Sequence, residues 1–217
     1  TRICITAYDF VDGKLVKRWA FDTDEAGSQY ESQGNHQLSI NDVDNDGKDE
    51  IIFGGLTLDH NGKVKYSTGL GHGDAQHISD WDPTNPGLEI FAVHEHSDAE
   101  YQVEVHDAET GEILYGYFTG VDTGRGVAAD VDPTNLGAEF WSSVEWNGTD
   151  GGMYAATSRF DNIKKLSQLT PSVNNTLFWD GDLLSELQDH TFNNAGGNYY
   201  PVSTNITKWN SETGISD

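Results

Sequence analysis

The chain has 217 residues, of which 36 are acidic and 12 basic, and its formal net charge is −24 at pH 7. This charge argues against nucleic acid and anionic membrane surfaces as partners, because both bind proteins through clustered Lys and Arg. The 11% aromatic content favours a folded chain over a disordered one. With one cysteine, Cys4, the chain forms no internal disulfide, and no apolar run approaches the length of a membrane span.

The first strongly marked segment is the acidic loop DVDNDGKDEIIF at residues 42–53. Counted from Asp42, carboxylates occupy positions 1, 3, 5 and 9, and Gly47 permits a sharp bend at position 6. An EF-hand would need a bidentate Glu at position 12, which is Phe53 in a strand-like run, so that motif is rejected. The spacing predicts a strand-loop-strand calcium loop. Its expected oxygen ligands are Asp42, Asp44, Asp46, the Lys48 carbonyl and Glu50.

The Asp-x-Asp pattern before a β-forming run recurs along the chain. The first aspartates are Asp42, Asp80, Asp130 and, more weakly, Asp180, so the intervals are 38, 50 and 50 residues. We predict calcium at the second and third loops as well, with backbone oxygens where Pro and Thr replace the third aspartate. The expected side-chain ligands are Asp80, Asp82 and Glu89 in one loop, and Asp130, Asp132 and Glu139 in the other.

Hairpins with Gly-containing turns lie between the acidic loops, so each unit is expected to contain four short strands. Four-stranded units that recur every 40 to 50 residues predict an all-β chain folded as part of a β-propeller. A β-sandwich is the alternative, but it does not predict the same loop in every unit. We expect residues 1–217 to form one propeller segment of four to five blades. Residues 1–33 would end a preceding blade, and blades would start near residues 34, 72, 124 and 173. The rest of the propeller is an expected partner, because such an arc leaves open sheet edges.

Polar side chains flanked by glycine recur where each predicted inner strand begins, as in GNHQ, GHGDAQH and GRG. Consecutive inner strands would bring these side chains to one face of the propeller. The sequence VHEH adds a further carboxylate, although it lacks the H-E-x-x-H spacing of a zinc protease. The predicted ligand set is His36, His72, Asp74 and Glu95. Two imidazoles and two carboxylates suit zinc, another transition metal or a mixed calcium site.

Several dense motifs follow one another along nearly the whole chain: NDVDNDGKDEIIFGG, GLGHGDAQHISDWDPTNPGLEIFAVHEH, TGRGVAADVDPTNLGAEFWSS, and PSVN followed by WDGDLLSEL. They resemble the family 11 polysaccharide lyases, the bacterial rhamnogalacturonan lyases. The resemblance implies a secreted bacterial enzyme with an eight-bladed, calcium-rich propeller. It also implies β-elimination in rhamnogalacturonan I, the pectin polysaccharide that would be the substrate, leaving an unsaturated uronate.

The resemblance also implies roles for particular residues. His36, His72, Asp74 and Glu95 would hold a calcium ion in the active cleft. Arg125 and Lys208 would be the catalytic pair, and Asn205 and Thr207 would contact sugar. Ile206, between these two, stands where the family motif has glycine.

Elimination at a uronate needs a neutralised carboxylate, a base near the C5 proton and a proton donor for the oxygen that leaves C4. Calcium or the Arg125 guanidinium could neutralise the carboxylate. Lys208 with a lowered pKa could be the base, and the reverse assignment of the pair stays open. Two other classes also remain open: a non-catalytic, calcium-stabilised propeller that binds carbohydrate or protein, and a glycoside hydrolase that uses two carboxylates.

Overall fold

A computed structural model describes residues 1–144, 154–156, 163–165, 171–195 and 198–217. The described residues form antiparallel β-sheets joined by turns and loops, with one short α-helix and one 3-10 turn. They divide into two compact units. The first unit comprises residues 1–78 and 87–124, and the second comprises residues 79–86 and 125–217.

The first unit contains three sheets. The hairpin pairs β1 (Cys4–Val11) with β2 (Lys14–Asp22), and α1 (Thr23–Ala26) and a 3-10 turn (Ser28–Tyr30) follow it. The next sheet has the order β3-β4-β5-β6, and the third has the order β10-β9-β8-β7. Their strands are β3 (Ser39–Asn41), β4 (Glu50–Phe53), β5 (Leu56–Leu58), β6 (Val64–Ser67), β7 (Gly73–Ser79), β8 (Glu89–His94), β9 (Val103–Asp107) and β10 (Ile113–Tyr117).

The second unit contains the remaining strands in three sheets, with the orders β11-β12-β13-β14, β15-β16-β17 and β18-β19. Its strands are β11 (Gly126–Ala129), β12 (Glu139–Ser142), β13 (Tyr154–Ala156), β14 (Ile163–Lys165), β15 (Asn175–Leu177), β16 (Glu186–Ala195), β17 (Asn198–Thr207), β18 (Trp209–Asn210) and β19 (Ile215–Ser216).

Three of these sheets have the strand order predicted for the repeating unit: a strand before the acidic loop, a strand after it, and then a hairpin. The sheet β15-β16-β17 departs from this plan. It has three strands, and β16 and β17, of ten residues each, form the longest hairpin in the described part of the chain. The short-strand pattern therefore ends before the segment that carries Asn205, Thr207 and Lys208.

Turn chemistry explains the hairpins. The two residues between β1 and β2 are Asp12 and Gly13, whose φ angles are 48° and 76°. Two successive positive φ angles define the type I′ turn, which matches the twist of paired strands and favours Asp-Gly. The Asn-Gly pair between β5 and β6 is a second turn of this composition, and Gly62 has a φ of 82°.

The core of each unit consists of apolar residues, most of them in strands. In the first unit, β8 is buried along its whole length from Glu89 to His94. In the second unit, Trp141 is fully buried and packs with residues of β11, β16 and β18. The apolar members of these cores are Ile52, Leu56, Leu58, Ile90 and Ala92 in the first unit, and Val127, Val131, Leu187 and Trp209 in the second.

Among the described residues, no helix is long and apolar enough to cross a membrane.

Candidate functional site

Three loop segments of the first unit meet beside the start of β7, and backbone hydrogen bonds join them. The His36 N–H donates to the Gly73 carbonyl (3.2 Å), and the Gly73 N–H donates to the Gly34 carbonyl (3.0 Å). The Glu95 N–H donates to the His72 carbonyl (2.9 Å). These bonds place residues 34–36, 71–74 and 94–96 side by side, although they are far apart in the sequence.

The structure brings the side chains of His36, His72, Asp74 and Glu95 together on these segments. One ligand atom from each lies within 4.8 Å of the ligand atoms of the other three. His36 Nε2 is 3.2 Å from Asp74 Oδ1, and His72 Nδ1 is 3.3 Å from Glu95 Oε1. The two imidazole rings meet edge to face, with centroids 5.0 Å apart. We call these four residues the metal cluster.

The carboxylates of the metal cluster repel each other. Burial raises the pKa of Asp74, and the neighbouring Glu95 raises it further, through a hydrogen bond and by its charge. Asp74 is 15% exposed, whereas His36 is 68% exposed. The metal cluster therefore combines a mostly buried carboxyl group, that of Asp74, with an exposed imidazole, that of His36. A bound cation would offset the repulsion between the two carboxylates.

The first acidic loop is folded around its own carboxylates. Asp42, Asp44 and Glu50 bring ligand atoms within 4.8 Å of one another. The Asp46 side chain instead accepts from the backbone N–H and the ammonium of Lys48 at 2.9 and 3.0 Å. Of the ligands predicted for this loop, Asp42, Asp44 and Glu50 are thus the three whose carboxylate oxygens lie close together.

Glu50 is the buried member of this loop and has no solvent exposure. Its Oε2 accepts from the Val43 N–H at 3.1 Å, whereas its Oε1 is buried without a hydrogen-bond partner. Burial raises the pKa of Glu50. Lys65 places its ammonium 2.5 Å from Asp44 Oδ2, so a lysine neutralises part of the loop.

In the third acidic loop, Glu139 repeats the arrangement of Glu50. Its Oε2 accepts from the N–H groups of Val131 (3.0 Å) and Asp132 (2.9 Å), and its Oε1 is buried without a hydrogen-bond partner among the described residues. Burial raises the pKa of Glu139 to about 8 despite these two bonds. Burial also raises the pKa of Asp130, and the charge of Asp132 adds to the shift.

The Asp-Pro-Thr sequences of the second and third loops form local turns. The N–H and hydroxyl of Thr84 donate to Asp82 Oδ1 at 2.9 and 2.6 Å, and Thr134 makes the same two bonds to Asp132 Oδ1. One oxygen of each aspartate is therefore already bound by a threonine. Asp80 and Asp82 belong to the second unit and Glu89 to the first.

The side chain of Lys208, which follows β17, reaches into the fourth acidic loop. Asp180, Asp182 and Glu186 bring ligand atoms within 4.8 Å of one another, and the Lys208 ammonium binds all three. Its Nζ is 2.6 Å from Asp180 Oδ2 and 3.2 Å from Glu186 Oε1. The hydrogen bonds that the Lys208 ammonium donates to Asp180 and Asp182 raise the pKa of Lys208. This direction is opposite to the lowered pKa expected of a base.

Arg125 is exposed at the start of β11, and its backbone carbonyl accepts from the Ser143 N–H at 2.9 Å. Within the described part of the chain, the Arg125 guanidinium forms no ion pair. Asn205 and Thr207 lie on β17, where they pair with Asp189 and Leu187 of β16. Asn205 is exposed and Thr207 is half-buried.

Comparison with known proteins gives the family. The sequence model of the rhamnogalacturonan lyase family 11 C-terminal domain matches residues 1–217. The chain belongs to rhamnogalacturonan lyase family 11. Among its relatives is the rhamnogalacturonan exolyase YesX of Bacillus subtilis (strain 168), 47% identical over 217 residues. The match covers 99% of this chain and 34% of YesX.

A second relative, the rhamnogalacturonan endolyase YesW of the same strain, is 46% identical over 213 residues, which are 98% of this chain and 30% of YesW. The crystal structure of the exotype rhamnogalacturonan lyase YesX superimposes with a TM-score of 0.87 at 45% identity, covering 100% of this chain and 35% of that one. The chain thus spans about a third of the length of these family 11 relatives.

The residues of this family 11 chain fit a divalent cation at the metal cluster. Ligand atoms on opposite sides of a calcium ion lie about 5 Å apart, because each Ca–O bond is about 2.3–2.6 Å. The four ligand atoms are within that span. His72 Nδ1 is buried and has no hydrogen-bond partner, although Glu95 Oε1 lies 3.3 Å away. A cation between them would use both atoms.

The sequence did not single out two further features of this family 11 chain. Asp59 and His60, at the turn between β5 and β6, bring ligand atoms to Glu50 of the first acidic loop. Lys208 reaches Asp180 and Asp182 from β17's far end. Neither contact has a spacing signal, since each joins segments that are separate in the sequence. The Asp-x-Asp pattern at residues 180–182 was the available clue to the second.

Proposed function

We propose that this chain is the metal-binding part of a rhamnogalacturonan lyase that cleaves the rhamnogalacturonan I backbone of pectin by calcium-assisted β-elimination. Membership of family 11 and the names of the relatives support the substrate and the reaction. The observation that carries the proposal is the convergence of His36, His72, Asp74 and Glu95 on one point.

The chain's own residues have separate tasks in this proposal. The metal cluster holds the cation, which supplies positive charge to the uronate carboxylate and makes the C5 proton more acidic. Arg125 has an exposed guanidinium, which can bind a carboxylate through two parallel hydrogen bonds. Lys208 accepts the C5 proton, the C4–C5 double bond forms as the C4–O bond breaks, and the leaving oxygen takes a proton from water. Asn205 and Thr207 bind sugar hydroxyls.

Lys208 can accept a proton only after its ammonium loses one. Its three carboxylate partners oppose that step, because they stabilise the charged form. Lys208 must therefore leave Asp180 and Asp182 before it acts as base. A cation bound by these two aspartates would free it.

We further propose that the sheets are blades of a larger calcium-stabilised propeller in a secreted bacterial protein. The acidic loops would act as structural calcium sites with the ligands predicted from the sequence. The repeated strand order and the buried glutamates Glu50 and Glu139 support this role, because a buried carboxylate needs a compensating charge.

A non-catalytic propeller that binds carbohydrate is the second candidate. The pairing of Lys208 with three carboxylates favours it, since that lysine is held as a counterion.

The test is an assay of the full-length protein on rhamnogalacturonan, with ultraviolet absorbance reporting the unsaturated product. Asp74→Asn is expected to reduce the rate at least 100-fold, because it removes one charge from the metal cluster. The matched control is Asp98→Asn, which makes the same change at a side chain that is 93% exposed. Absence of product from the unsubstituted protein would favour the binding propeller, and reducing ends without unsaturation would indicate a hydrolase.

A further inference from the structure

Beside the metal cluster, the first unit buries a charged group of side chains that the proposed reaction does not use. It consists of His94, Glu104 and His106, none of which has any solvent exposure. His94 ends β8, and Glu104 and His106 are two residues apart on β9, where alternation puts them on one face. We call these three residues the buried network.

Glu104 is the centre of the buried network, and its partners are imidazoles. Its Oε1 lies 3.2 Å from His94 Nε2, and its two carboxylate oxygens lie 3.0 and 2.9 Å from His106 Nδ1. Burial alone would raise the pKa of Glu104, but the charge and hydrogen bonds of His106 and His94 lower it. The carboxylate is therefore held as an anion inside the unit.

The network reaches the metal cluster through the second nitrogen of His94. That atom, Nδ1, lies 3.2 Å from the Gly71 carbonyl. The following residue, Glu95, donates its N–H to the His72 carbonyl and places Oε1 3.3 Å from His72 Nδ1. Residues 94 and 95 thus hold the segment 71–72 through two hydrogen bonds, and His72 is a member of the metal cluster.

Glycine at position 73 makes this close approach possible. A Cβ there would lie 2.6 Å from the Val93 carbonyl oxygen and 3.5 Å from His94 Nδ1. The backbone of residues 71–73 therefore lies directly on the end of β8. Because packing on this side is so tight, the position of the His94 ring fixes the position of the Gly71 peptide, and with it His72.

We propose that Glu104 and His94 are positioning residues for the metal cluster, which hold the Gly71 carbonyl and so fix His72 in the geometry that binds the cation. This inference rests on the proposed function, because it presumes that the metal cluster holds a cation. Hydrogen-bond partners behind a metal ligand commonly contribute 10- to 100-fold to metal affinity. The same order of effect is expected from Glu104.

The experiment measures calcium binding at His36 and His72 directly, without an activity assay. The full-length protein is treated with diethylpyrocarbonate at increasing calcium concentration, and modification of each histidine is read by peptide mass spectrometry. Protection of His36 and His72 gives a calcium midpoint for the metal cluster that the acidic loops do not affect. His94 and His106 are buried, so their resistance to the reagent reports folding in every variant that keeps them.

Glu104→Gln keeps the volume but supplies only one acceptor oxygen for two imidazoles. We expect it to raise the calcium midpoint 10- to 100-fold. The matched control is Val105→Ala, at the next residue of β9, which is 1% exposed. It loosens the same strand without touching the network, and its midpoint is expected to stay within about threefold of the unsubstituted protein.

A triple variant separates positioning from folding. His94→Phe, Glu104→Leu and His106→Phe together replace the whole buried network by apolar groups of similar size, so no buried imidazole loses its carboxylate, and such a change is often neutral for stability. It should melt near the unsubstituted protein and still lose the low calcium midpoint. This variant also decides the question if Glu104→Gln does not fold.

The outcomes distinguish the two proposals. If calcium does not protect His36 and His72 in the unsubstituted protein, the metal assignment fails and the positioning role fails with it. If it does, a folded Glu104→Gln or triple variant with an unchanged midpoint overturns the positioning role alone. An equal shift in Val105→Ala would also overturn it, because the effect would then be general loosening.

Discussion

At the scale of single residues, Lys208 is the side chain whose environment and proposed role differ most. Its ammonium binds Asp180, Asp182 and Glu186, and this binding raises its pKa. A base that begins each cycle as a paired ammonium must be released by its partners. The contacts of Lys208 with the loop of residues 180–186 therefore determine whether it can accept a proton.

Lys208→Ala tests whether this lysine takes part in the chemistry. The rate of unsaturated product should fall by about 10²–10⁴ at saturating calcium, the usual contribution of a positioned acid or base. Lys65→Ala is the control, because Lys65 also binds an acidic-loop carboxylate, that of Asp44. Its rate should stay within a few-fold of the parent. If both variants keep their activity, Lys208 is a counterion only.

Glu139 predicts a pH dependence of stability in the metal-free protein. Its pKa in the folded state is about 8, above the ordinary 4.5. The folded chain therefore retains a proton that the unfolded chain releases. The stabilisation is complete below about pH 4.5 and is lost as the pH rises towards 8. At roughly 1.4 kcal/mol per pKa unit, the total is several kcal/mol.

Glu139→Gln removes this titration. In excess chelator, the unfolding free energy of the parent should fall from pH 5 to pH 8, and that of the variant should fall much less. Denaturant melts at each pH measure both. The exposed Glu112→Gln is the control and should follow the parent. Identical slopes in all three proteins would mean that Glu139 ionises normally.

The sequence predicted the members of the metal cluster because repeated units place equivalent residues in equivalent positions. His72 directly follows Gly71, His36 comes two residues after Gly34, and both precede a predicted strand, so their proximity follows from the repeat. The partners of Lys208 could not be predicted in this way. They lie 22 to 28 residues away, on a hairpin that departs from the repeat, and only tertiary packing joins them.

At the scale of elements, the strands were predictable and the details of the loops were not. Alternating β-forming runs and Asp-Gly or Asn-Gly turns specify hairpins locally, so β1–β2 and β5–β6 formed as expected. The sequence predicts calcium at the Asp-Pro-Thr loops, as at the first loop, but it does not predict the threonine contacts. Thr84 and Thr134 each bind one aspartate oxygen in a local side-chain turn, which competes with a cation for that atom.

Gly73→Ala tests how tightly β7 is joined to its neighbouring segments. The added methyl would lie 2.6 Å from the Val93 carbonyl and 2.7 Å from Asn35 Nδ2, so backbone must move. Overpacking of this kind costs about 1–3 kcal/mol. We expect a lower melting temperature and weaker calcium protection of His72. Gly116→Ala on β10 is the control, since the three atoms nearest to its methyl belong to the Tyr101 ring, a side chain outside this junction. Equal melting of the two variants would contradict this tight junction.

At the scale of the whole molecule, charge is the dominant property. A net charge of −24 on 217 residues destabilises a compact chain through self-repulsion. Cations can act in two ways. Salt screens all exposed charges, whereas a bound divalent ion neutralises particular loops.

These two effects should separate in melting experiments. In excess chelator, the melting temperature should rise steadily as NaCl increases from 0.01 to 1 M, because the Debye length falls from about 30 to 3 Å. At constant ionic strength, millimolar calcium should raise it further and then saturate, since a ligand of the folded state stabilises by mass action. Magnesium is the control and should do less, because it dehydrates reluctantly. A melt that chelator leaves unchanged would remove the structural calcium sites.

The glutamates that end three of the acidic loops have a consequence for the order of events during maturation. Glu50, Glu139 and Glu186 each give one oxygen to a backbone N–H at the start of the same loop, those of Val43, Val131 and Trp179. Each loop is thereby closed by the protein itself. We expect an arriving ion to exchange its water for oxygens already in place, so that the chain folds first and is loaded afterwards, at a rate set by ligand exchange on the ion.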